Sequence, residues 1–207
     1  MTDKEIVRQG YNEIAQRYLD ERNEELAEMK LIPDFIALIP QGGKILDAGC
    51  GGGYPFTKLL SENFDVLGVD ISEKQIELAR KIAPKANFQC SDMTKLSFPN
   101  EYFNGIFSYY AIIHIPREEH FDLLVNFYRM LKPNGVALLT FHSKDDPGSY
   151  YDDFFDTNMF WSGFAAEKNI QMTKKAGFEI IWSKLIGDSL GDSKHLFMLL
   201  KKKGKIE

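Results

Sequence analysis

The chain has 207 residues, of which 44% are hydrophobic and 27% charged, and a formal net charge of −5. This length and composition are typical of one globular domain with a sizeable core. The acidic balance argues against non-specific binding to nucleic acid, which depends on a basic surface.

The two cysteines, Cys50 and Cys90, are too few for a disulfide framework. We expect both to be small buried residues in a reducing compartment. No apolar run approaches the roughly 18 residues of a membrane span. The N-terminus lacks the charged-then-apolar order of a signal peptide, so we expect no membrane association and a cytoplasmic location.

The first forty residues are predicted to be helical. Residues 3–19 carry their apolar side chains at helical spacing. A second helical stretch is expected to begin near Glu24, and Pro33 suits the first turn of a further one. We interpret 1–40 as an N-terminal helical cap on a single domain that spans 1–207.

From residue 44 onwards, strands and helices alternate. Strands are predicted at 44–47, 66–70, 87–90, 105–109, 136–141, 178–185 and 196–201, and helices at 55–61, 73–83, 117–131 and 165–176. This alternation predicts an α/β fold, a doubly wound and mostly parallel sheet with helices on both faces. The last two strands are joined by a loop without a helix, so we expect the last strand to be antiparallel.

Residues 142–164 interrupt this alternation. They are rich in aspartate and aromatic residues and show no clean period. Long irregular segments inside compact domains are usually functional or disordered, and this one is too aromatic for a disordered tail. We interpret it as a lid insertion, and its aromatic rings suit a small organic acceptor.

A glycine-rich turn follows the first strand of the sheet. Residues Lys44 to Gly53 read Lys-Ile-Leu-Asp-Ala-Gly-Cys-Gly-Gly-Gly. A strand, a glycine turn and a helix form a pocket for the polar part of a nucleotide-like ligand. The fingerprint of dinucleotide-binding proteins would need a further Gly or Ala at position 54 or 56, but the chain has Tyr54 and Phe56 there. A P-loop would need Gly-Lys-Ser/Thr, which does not follow. The turn therefore matches neither motif.

Three aspartates stand at successive strand ends: Asp47, Asp70 and Asp92. Open α/β sheets bind ligands outside the carboxyl ends of their strands. A carboxylate after the second strand can accept both hydroxyls of a ribose, and one after the third can accept from an adenine amino group. A lone aspartate there is commonly a turn former, but three beside a glycine turn favour a binding site.

The pattern Asp-x-Gly-x-Gly-x-Gly resembles motif I of the class I S-adenosylmethionine-dependent methyltransferases. Residues 66–72 and 91–99 look like the family's second motif and adenine-contacting segment, and 130–135 like its turn before the fifth strand. The chain is most similar to the small-molecule branch that includes the ubiquinone and menaquinone biosynthesis methyltransferases. The resemblance implies a Rossmann-like seven-stranded sheet with one reversed strand, S-adenosyl-L-methionine as cofactor, and methyl transfer to a small molecule by direct displacement.

The resemblance also implies roles for individual residues. The methionine part of the cofactor would face Asp47 and the turn residues Gly49, Cys50, Gly51 and Gly53. The adenosine part would contact Asp70, Ile71, Asp92 and Met93. Tyr109 would lie beside the sulfonium. Tyr11 and Tyr18 lie where relatives fold a helix over the cofactor, although plain core packing explains them equally well.

Two histidines are candidate catalytic bases. His114 follows the fourth strand and His142 ends the fifth, so both are expected near the site. A base is needed only if the acceptor loses a proton. His114 could instead anchor a loop before Pro116. No cluster has convincing metal-ligand spacing.

Two other functions stay open at this point, as do the acceptor atom and the oligomeric state. The first alternative is a non-catalytic sensor that binds S-adenosylmethionine. The second is a nicotinamide-dependent oxidoreductase, which Tyr54 and Phe56 disfavour.

Overall fold

The computed structural model describes residues 1–22, 27–187 and 194–204. At its centre lies a seven-stranded sheet with the order β3-β2-β1-β4-β5-β9-β8, beside which β6 and β7 form a separate pair. The strands are β1 (Lys44–Ala48), β2 (Asp65–Asp70), β3 (Asn87–Cys90), β4 (Phe103–Ser108), β5 (Leu131–His142), β6 (Asp146–Phe154), β7 (Thr157–Gly163), β8 (Glu179–Gly187) and β9 (Lys194–Lys201).

Helices cover both faces of this sheet. They are α1 (Asp3–Asp20), α2 (Ile32–Ile36), α3 (Phe56–Leu60), α4 (Glu73–Ile82), α5 (His120–Met130) and α6 (Ala166–Lys175). Successive side chains of a strand point to opposite faces. Ile45 therefore packs with α2 and α3, whereas Leu46 packs with α5 and α6. Among the described residues, no helix is long and apolar enough to cross a membrane.

The doubly wound, mostly parallel sheet with a reversed last strand is confirmed. Strands β1 to β5 pair in parallel, and β9 runs antiparallel to both of its neighbours, β5 and β8. Strand β4 begins at Phe103, two residues earlier than predicted. The predicted helix over 117–131 divides into a 3-10 turn, Arg117–Glu119, and α5.

The N-terminal helix is confirmed. Thr2 and Glu5 form a capping box that satisfies free N–H groups at its start: the Glu5 N–H donates to Thr2 Oγ1 and the Thr2 N–H to Glu5 Oε2. The stretch predicted to begin near Glu24 starts outside the described residues. Beyond it, the 3-10 helix Ala27–Leu31 leads directly into α2.

The prediction that residues 142–164 are irregular is wrong, because β6 and β7 form an antiparallel hairpin there. Its two-residue turn is Phe155-Asp156, and both residues have positive φ, 54° and 58°. Such turns usually contain Asn-Gly or Asp-Gly, so the sequence carried no turn signal. Two register shifts within the pair also break the alternation that reveals a strand.

The expectation of two buried cysteines is wrong for one of them. Cys50 is partly buried in the glycine turn, but Cys90 is exposed. Strand β3 forms an edge of the sheet and has little cover on either face, so its last residue reaches solvent.

Candidate functional site

The glycine turn after β1 forms the floor of the candidate site. Gly49, Gly51 and Gly53 all have positive φ, at 85°, 53° and 81°, a region that L side chains rarely adopt. A Cβ on Gly49 would lie 2.1 Å from the Cβ of Ala111, so β1 and the segment after β4 approach closely here. A Cβ on Gly51 would meet no atom closer than 3.8 Å, so this glycine faces open space.

A cavity lies above this turn, at the carboxyl ends of the parallel strands, and encloses about 660 Å³ including its open mouth. Six of the predicted cofactor residues line its floor and sides: Gly49, Gly51, Asp70, Ile71, Asp92 and Met93. Four further predicted residues form its walls and roof: Tyr11, Tyr18, Tyr109 and His114. Residues from four strand ends and from α1 therefore meet in one place.

Asp70 ends β2 and is held by backbone donors. The Gly51 N–H donates to Oδ2 at 2.9 Å and the Ser72 N–H donates to Oδ1 at 2.9 Å. Each carboxylate oxygen accepts one of these bonds and keeps a further lone pair. Burial raises the pKa of Asp70 to about 6, partly opposed by these hydrogen bonds. The carboxyl is thus fixed in orientation and can still accept from a ligand.

Asp92 is more fully occupied. Its Oδ1 accepts from the N–H and the hydroxyl of Thr94, at 2.9 and 2.8 Å, and its Oδ2 accepts from Lys4 Nζ at 2.9 Å. Burial acts to raise the pKa of Asp92, but the hydrogen bonds from Lys4 and Thr94, with the charge of Lys4, lower it overall. Lys4 also donates to Glu119 at 2.5 Å. Sequence reasoning missed Lys4, which lies 88 residues away in the chain.

Asp47 lies in a second, adjoining cavity. Its side chain is only 2% exposed, and Oδ2 accepts from Thr57 Oγ1 at 2.6 Å. Burial, opposed by the Thr57 hydrogen bond and supported by the nearby Asp70 charge, raises the pKa of Asp47 to about 7. Cys50 lines this second cavity too, and burial raises the pKa of its thiol well above the ordinary value.

His114 is held between α1 and the hairpin. Its Nδ1 lies 2.7 Å from the Phe160 carbonyl oxygen, and its Nε2 lies 2.9 Å from Tyr11 Oη. A carbonyl only accepts, so Nδ1 carries the proton and Nε2 accepts from the Tyr11 hydroxyl. Burial lowers the pKa of His114 to about 4. The imidazole is therefore neutral near pH 7, with its Nε2 lone pair directed at a cavity residue.

Helix α1 is the roof of the site. Asn12 on its middle turn accepts from Ser72 Oγ at 2.7 Å, which ties the helix to the start of α4. Gly10 faces β7, where a Cβ would lie 2.8 Å from Met159 Cε. Tyr11 and Tyr18 are in edge contact with each other, with ring centroids 5.3 Å apart. The sequence alone could not decide whether these two tyrosines cover the cavity, because residues at the same spacing also pack in protein cores.

Two predicted residues lie elsewhere. Gly53 packs against α4, since a Cβ there would be 3.2 Å from Ala79 Cα. His142 is not among the described residues that line either cavity. Its ring lies 5.6 Å from that of His195, between β5 and β9, and burial lowers its pKa. Within the described ranges, no group of three or more His, Cys, Asp or Glu could hold a metal ion.

Comparison with known proteins agrees with this geometry. A family model for a methyltransferase domain matches residues 45–135. Phosphoethanolamine N-methyltransferase 3 of Arabidopsis thaliana is 34% identical over 163 residues, which are 74% of this chain and 32% of that protein. 24-Methylenesterol C-methyltransferase 2 of the same plant is 31% identical over 166 residues, 73% of this chain and 45% of that protein. The chain thus spans about a third to a half of the length of these relatives.

The fold is shared with solved methyltransferases. Magnesium protoporphyrin IX methyltransferase from Synechocystis PCC 6803, solved with bound S-adenosylmethionine, superposes with a TM-score of 0.75 and 17% identity, and the superposition covers 98% of both chains. The sheet order, the glycine turn with its acidic strand ends, and the domain match agree with one another. The chain belongs to the class I S-adenosylmethionine-dependent methyltransferases.

Proposed function

We propose that this protein transfers a methyl group from S-adenosyl-L-methionine to a small organic molecule. The observation that carries the proposal is the continuity of the first cavity. Its one end contains the glycine turn and Asp70, and its other end contains His114 and aromatic rings. A cofactor and an acceptor could then share one enclosed space.

The cofactor fits the residues present. Asp70 keeps lone pairs directed into the cavity, which suits the two hydroxyls of a ribose. Gly51 leaves space where any side chain would intrude. Ile71 and Met93 offer apolar surface for the adenine. Asp92 holds Lys4 and Thr94 and has less capacity left for an adenine amino group than the sequence predicts.

S-Adenosylmethionine supplies, when bound, an electrophilic methyl group that an acceptor takes by direct displacement. The chain's contribution is to hold both partners in line and to exclude water. Tyr109 lines both cavities, at their shared boundary, where the resemblance places the sulfonium. The roof over this point is formed by Tyr18 of α1.

The proton of an acidic acceptor would be taken by the Tyr11–His114 pair. Tyr11 passes its hydroxyl proton to His114 Nε2 and receives the proton of the acceptor. The Phe160 carbonyl, which accepts from Nδ1–H, fixes the imidazole in the tautomer that this transfer needs. Such transfers contribute typically 10²–10⁴-fold to the rate. An acceptor atom that has a free lone pair and no proton to lose would not need Tyr11 and His114.

The acceptor is proposed to be small and at least partly aromatic or apolar. The rings of Tyr11 and Tyr18 line the cavity, and behind them Phe154 packs against both and against Trp161. The acidic residues in and beside the hairpin have other partners or face solvent. Asp145 and Asp156 pair with Arg117 and Arg17, Asp146 accepts from the Gly148 N–H and the Ser149 hydroxyl, and Asp152 and Asp153 are exposed. They therefore give no reason to favour a cationic amine. The two plant relatives are named as N- and C-methyltransferases, so the similarity leaves the acceptor atom open.

Helix α1 and the hairpin are proposed to close the site together. Val7 and Ile14 of α1 form a small apolar cluster with Met159 and Phe160 of β7. This cluster is separate from the two cores that flank the sheet. The two segments could therefore move as one unit, with the hydrogen bonds of Asn12 to Ser72 and of Lys4 to Asp92 opening as they do so.

Two measurements test the proposed function. Calorimetric titration with S-adenosylmethionine and with NAD should give binding of the former; tight binding of NAD alone would establish the oxidoreductase alternative. A methyl-transfer screen over phenols, quinones and small amines should then find turnover. Binding without turnover of any acceptor class would favour the sensor. With a phenolic acceptor, Tyr11→Phe should lower kcat by at least tenfold while cofactor affinity stays within about twofold.

A further inference from the structure

A buried carboxyl lies directly behind the wall of the first cavity, and neither the sequence nor the family resemblance singled it out. Glu28 belongs to the 3-10 helix Ala27–Leu31 and is only 2% exposed. Its Oε1 accepts from the hydroxyl of Tyr110 at 3.0 Å, and Tyr110 lines the cavity together with His114. The carboxyl is therefore in contact with a residue of the cavity wall.

Tyr110 is held in a backbone conformation that bulky residues rarely adopt. Its φ is positive, at 49°, and such a conformation persists only where the surrounding contacts determine it. Besides the bond to Glu28, the rings of Tyr109, His195 and Phe197 pack against it, with centroids 4.5, 4.8 and 5.7 Å from that of Tyr110. The Glu28–Tyr110 pair is thus a fixed part of the wall.

Glu28 has no counter-ion in the part of the chain that the structure describes. Among the described residues, no Lys, Arg or His forms an ion pair with it, and its Oε2 is buried without a hydrogen-bond partner. Arg22, which lines the second cavity, stacks instead on Tyr18 and Tyr109, with its Cζ 4.2 and 5.4 Å from their ring centroids. A buried carboxyl without a cationic partner is unfavourable, and a cation that binds nearby removes that penalty.

The first cavity offers no free positive charge to an anionic acceptor. Lys4 is the one ammonium in its described lining, and two carboxylates already pair with it. Burial lowers the pKa of His114 to about 4, so its imidazole is neutral near pH 7. The rings of Tyr11 and Tyr18 line the same cavity, and aromatic faces attract cations. The acceptor end is therefore electronegative.

We propose that the methyl acceptor is an amine that enters the cavity as an ammonium, with Glu28 as its counter-charge behind Tyr110. This inference rests on the proposed function and narrows its acceptor class. The hairpin gives no reason for a cationic acceptor, but the buried Glu28 does. An ammonium would share the cavity with the sulfonium, and a buried carboxylate offsets the repulsion between these two cations. An anionic reacting group would instead meet Glu28 as a like charge.

The ammonium must lose one proton before its nitrogen can take the methyl group. It passes that proton to Tyr11, whose own hydroxyl proton moves to His114 Nε2. The nitrogen lone pair then forms the N–CH₃ bond as the S–CH₃ bond breaks, and the electron pair of the broken bond stays on sulfur. The product is a methylated ammonium, and His114 returns its proton to solvent. Glu28 touches none of the reacting atoms and is a positioning residue, so its effect should appear in KM rather than in kcat.

The experiment compares three acceptor probes of similar size in methyl-transfer assays at neutral pH. They are 2-phenylethylamine, which is cationic, 4-ethylphenol, which is neutral, and 3-phenylpropionate, which is anionic. The kcat/KM of the wild type for the amine should exceed that for the other two by about tenfold or more.

Glu28→Gln separates the charge of Glu28 from its hydrogen bond, because the amide can still accept from the Tyr110 hydroxyl. The KM for the amine should rise roughly 5- to 30-fold, the effect of one charge about 8 Å away at the effective dielectric of a protein interior, while kcat changes less than about threefold. The KM for the phenol should stay within about twofold. The Kd of S-adenosylhomocysteine, which has no sulfonium charge, should also stay within about twofold.

Two further variants make the comparison specific. Glu28→Asp retains the charge and should keep most of the preference for the amine, which also provides a test if Glu28→Gln does not fold. Glu167→Gln, at an exposed position on α6, makes the same change in net charge and should behave as the wild type does.

Three outcomes overturn the amine assignment while methyl transfer, and with it the proposed function, stands. They are a preference of the wild type for the phenol or the acid, an amine KM that Glu28→Gln leaves unchanged, and equal increases in KM for the amine and the phenol. A wild type that binds S-adenosylmethionine but methylates none of the three probes would also overturn the assignment, and the broader acceptor screen then decides the proposed function. A protein that does not bind S-adenosylmethionine would refute both.

Discussion

Replacing Asp47 by Asn tests whether a buried carboxyl makes the ligand-free fold less stable as the pH rises. The pKa of Asp47 is about 7 in the folded protein, against an ordinary value of 3.8. The folded state therefore favours the protonated form. The stability that this gives is complete below pH 3.8 and is lost as the pH rises through 7.

The magnitude follows from these two values. At pH 5, two units below 7, the folded state gains a factor of about 100 from protonation, or about 3 kcal/mol, while the carboxyl of the unfolded chain is already mostly ionised. At pH 8 the gain is close to zero. Asn is neutral throughout and can still accept from Thr57. We therefore expect the stability of the variant relative to the wild type to increase by about 3 kcal/mol between pH 5 and pH 8.

Urea unfolding followed by circular dichroism at both pH values measures this difference. His114 and His120 have pKa values lowered by burial to about 4, so their contribution is present above the unfolded value near 6.5 and is lost as the pH falls through 4. This opposite trend is common to both proteins and cancels in the comparison. Asp156→Asn, at a side chain that is 93% exposed, is the control. If the free energies of unfolding of wild type and variant differ by the same amount at pH 5 and at pH 8, the reasoning is refuted.

Three further predictions concern the cofactor site. Asp70→Ala should weaken S-adenosylhomocysteine by roughly 2–3 kcal/mol, the value of charge-assisted hydrogen bonds, as measured by calorimetry; an unchanged Kd in a folded variant would contradict the ribose assignment. Gly51→Val should lose more affinity for S-adenosylhomocysteine than Gly51→Ala, because both strain a φ of 53° but only Val places a branched side chain in the cavity. Equal affinities of the two variants would contradict close approach of the ligand to this turn. In hydrogen exchange, residues 3–20 and 146–163 should gain more protection with ligand than the central strands do, and identical exchange with and without ligand would rule out closure.

The sheet could be predicted from the sequence because its signals are local. Each buried strand is a short apolar run, and the Pro-Gln-Gly-Gly segment at 40–43 marks the start of the first one. The hairpin could not be predicted because its signals are absent. Phe155 and Asp156 adopt positive φ without the usual Asn-Gly, and register shifts disturb the pattern on β6.

Part of the candidate site could likewise be predicted from the sequence, and part could not. Asp70 and Gly51 come together because parallel strands end at one edge, a rule that applies to any such sheet. Lys4 and Arg22 reach the cavities only because α1 folds across that edge. Nothing in the sequence near either residue specifies that docking, which depends on contacts as distant as Gly10 with Met159.

The order of strands has a consequence for how the chain acquires its structure during synthesis. Strand β9 is made after β8 but lies between β5 and β8, and it supplies the hydrogen-bonding partner of both. A growing chain that ends before Lys194 leaves one edge of β5 unpaired and β8 without a neighbour in the sheet. The buried side chains of Leu196 to Leu200 would also be missing from both cores. The sheet can be completed only once residue 201 has left the ribosome, and until then the exposed edge of β5 is a surface that chaperones or other chains can pair with.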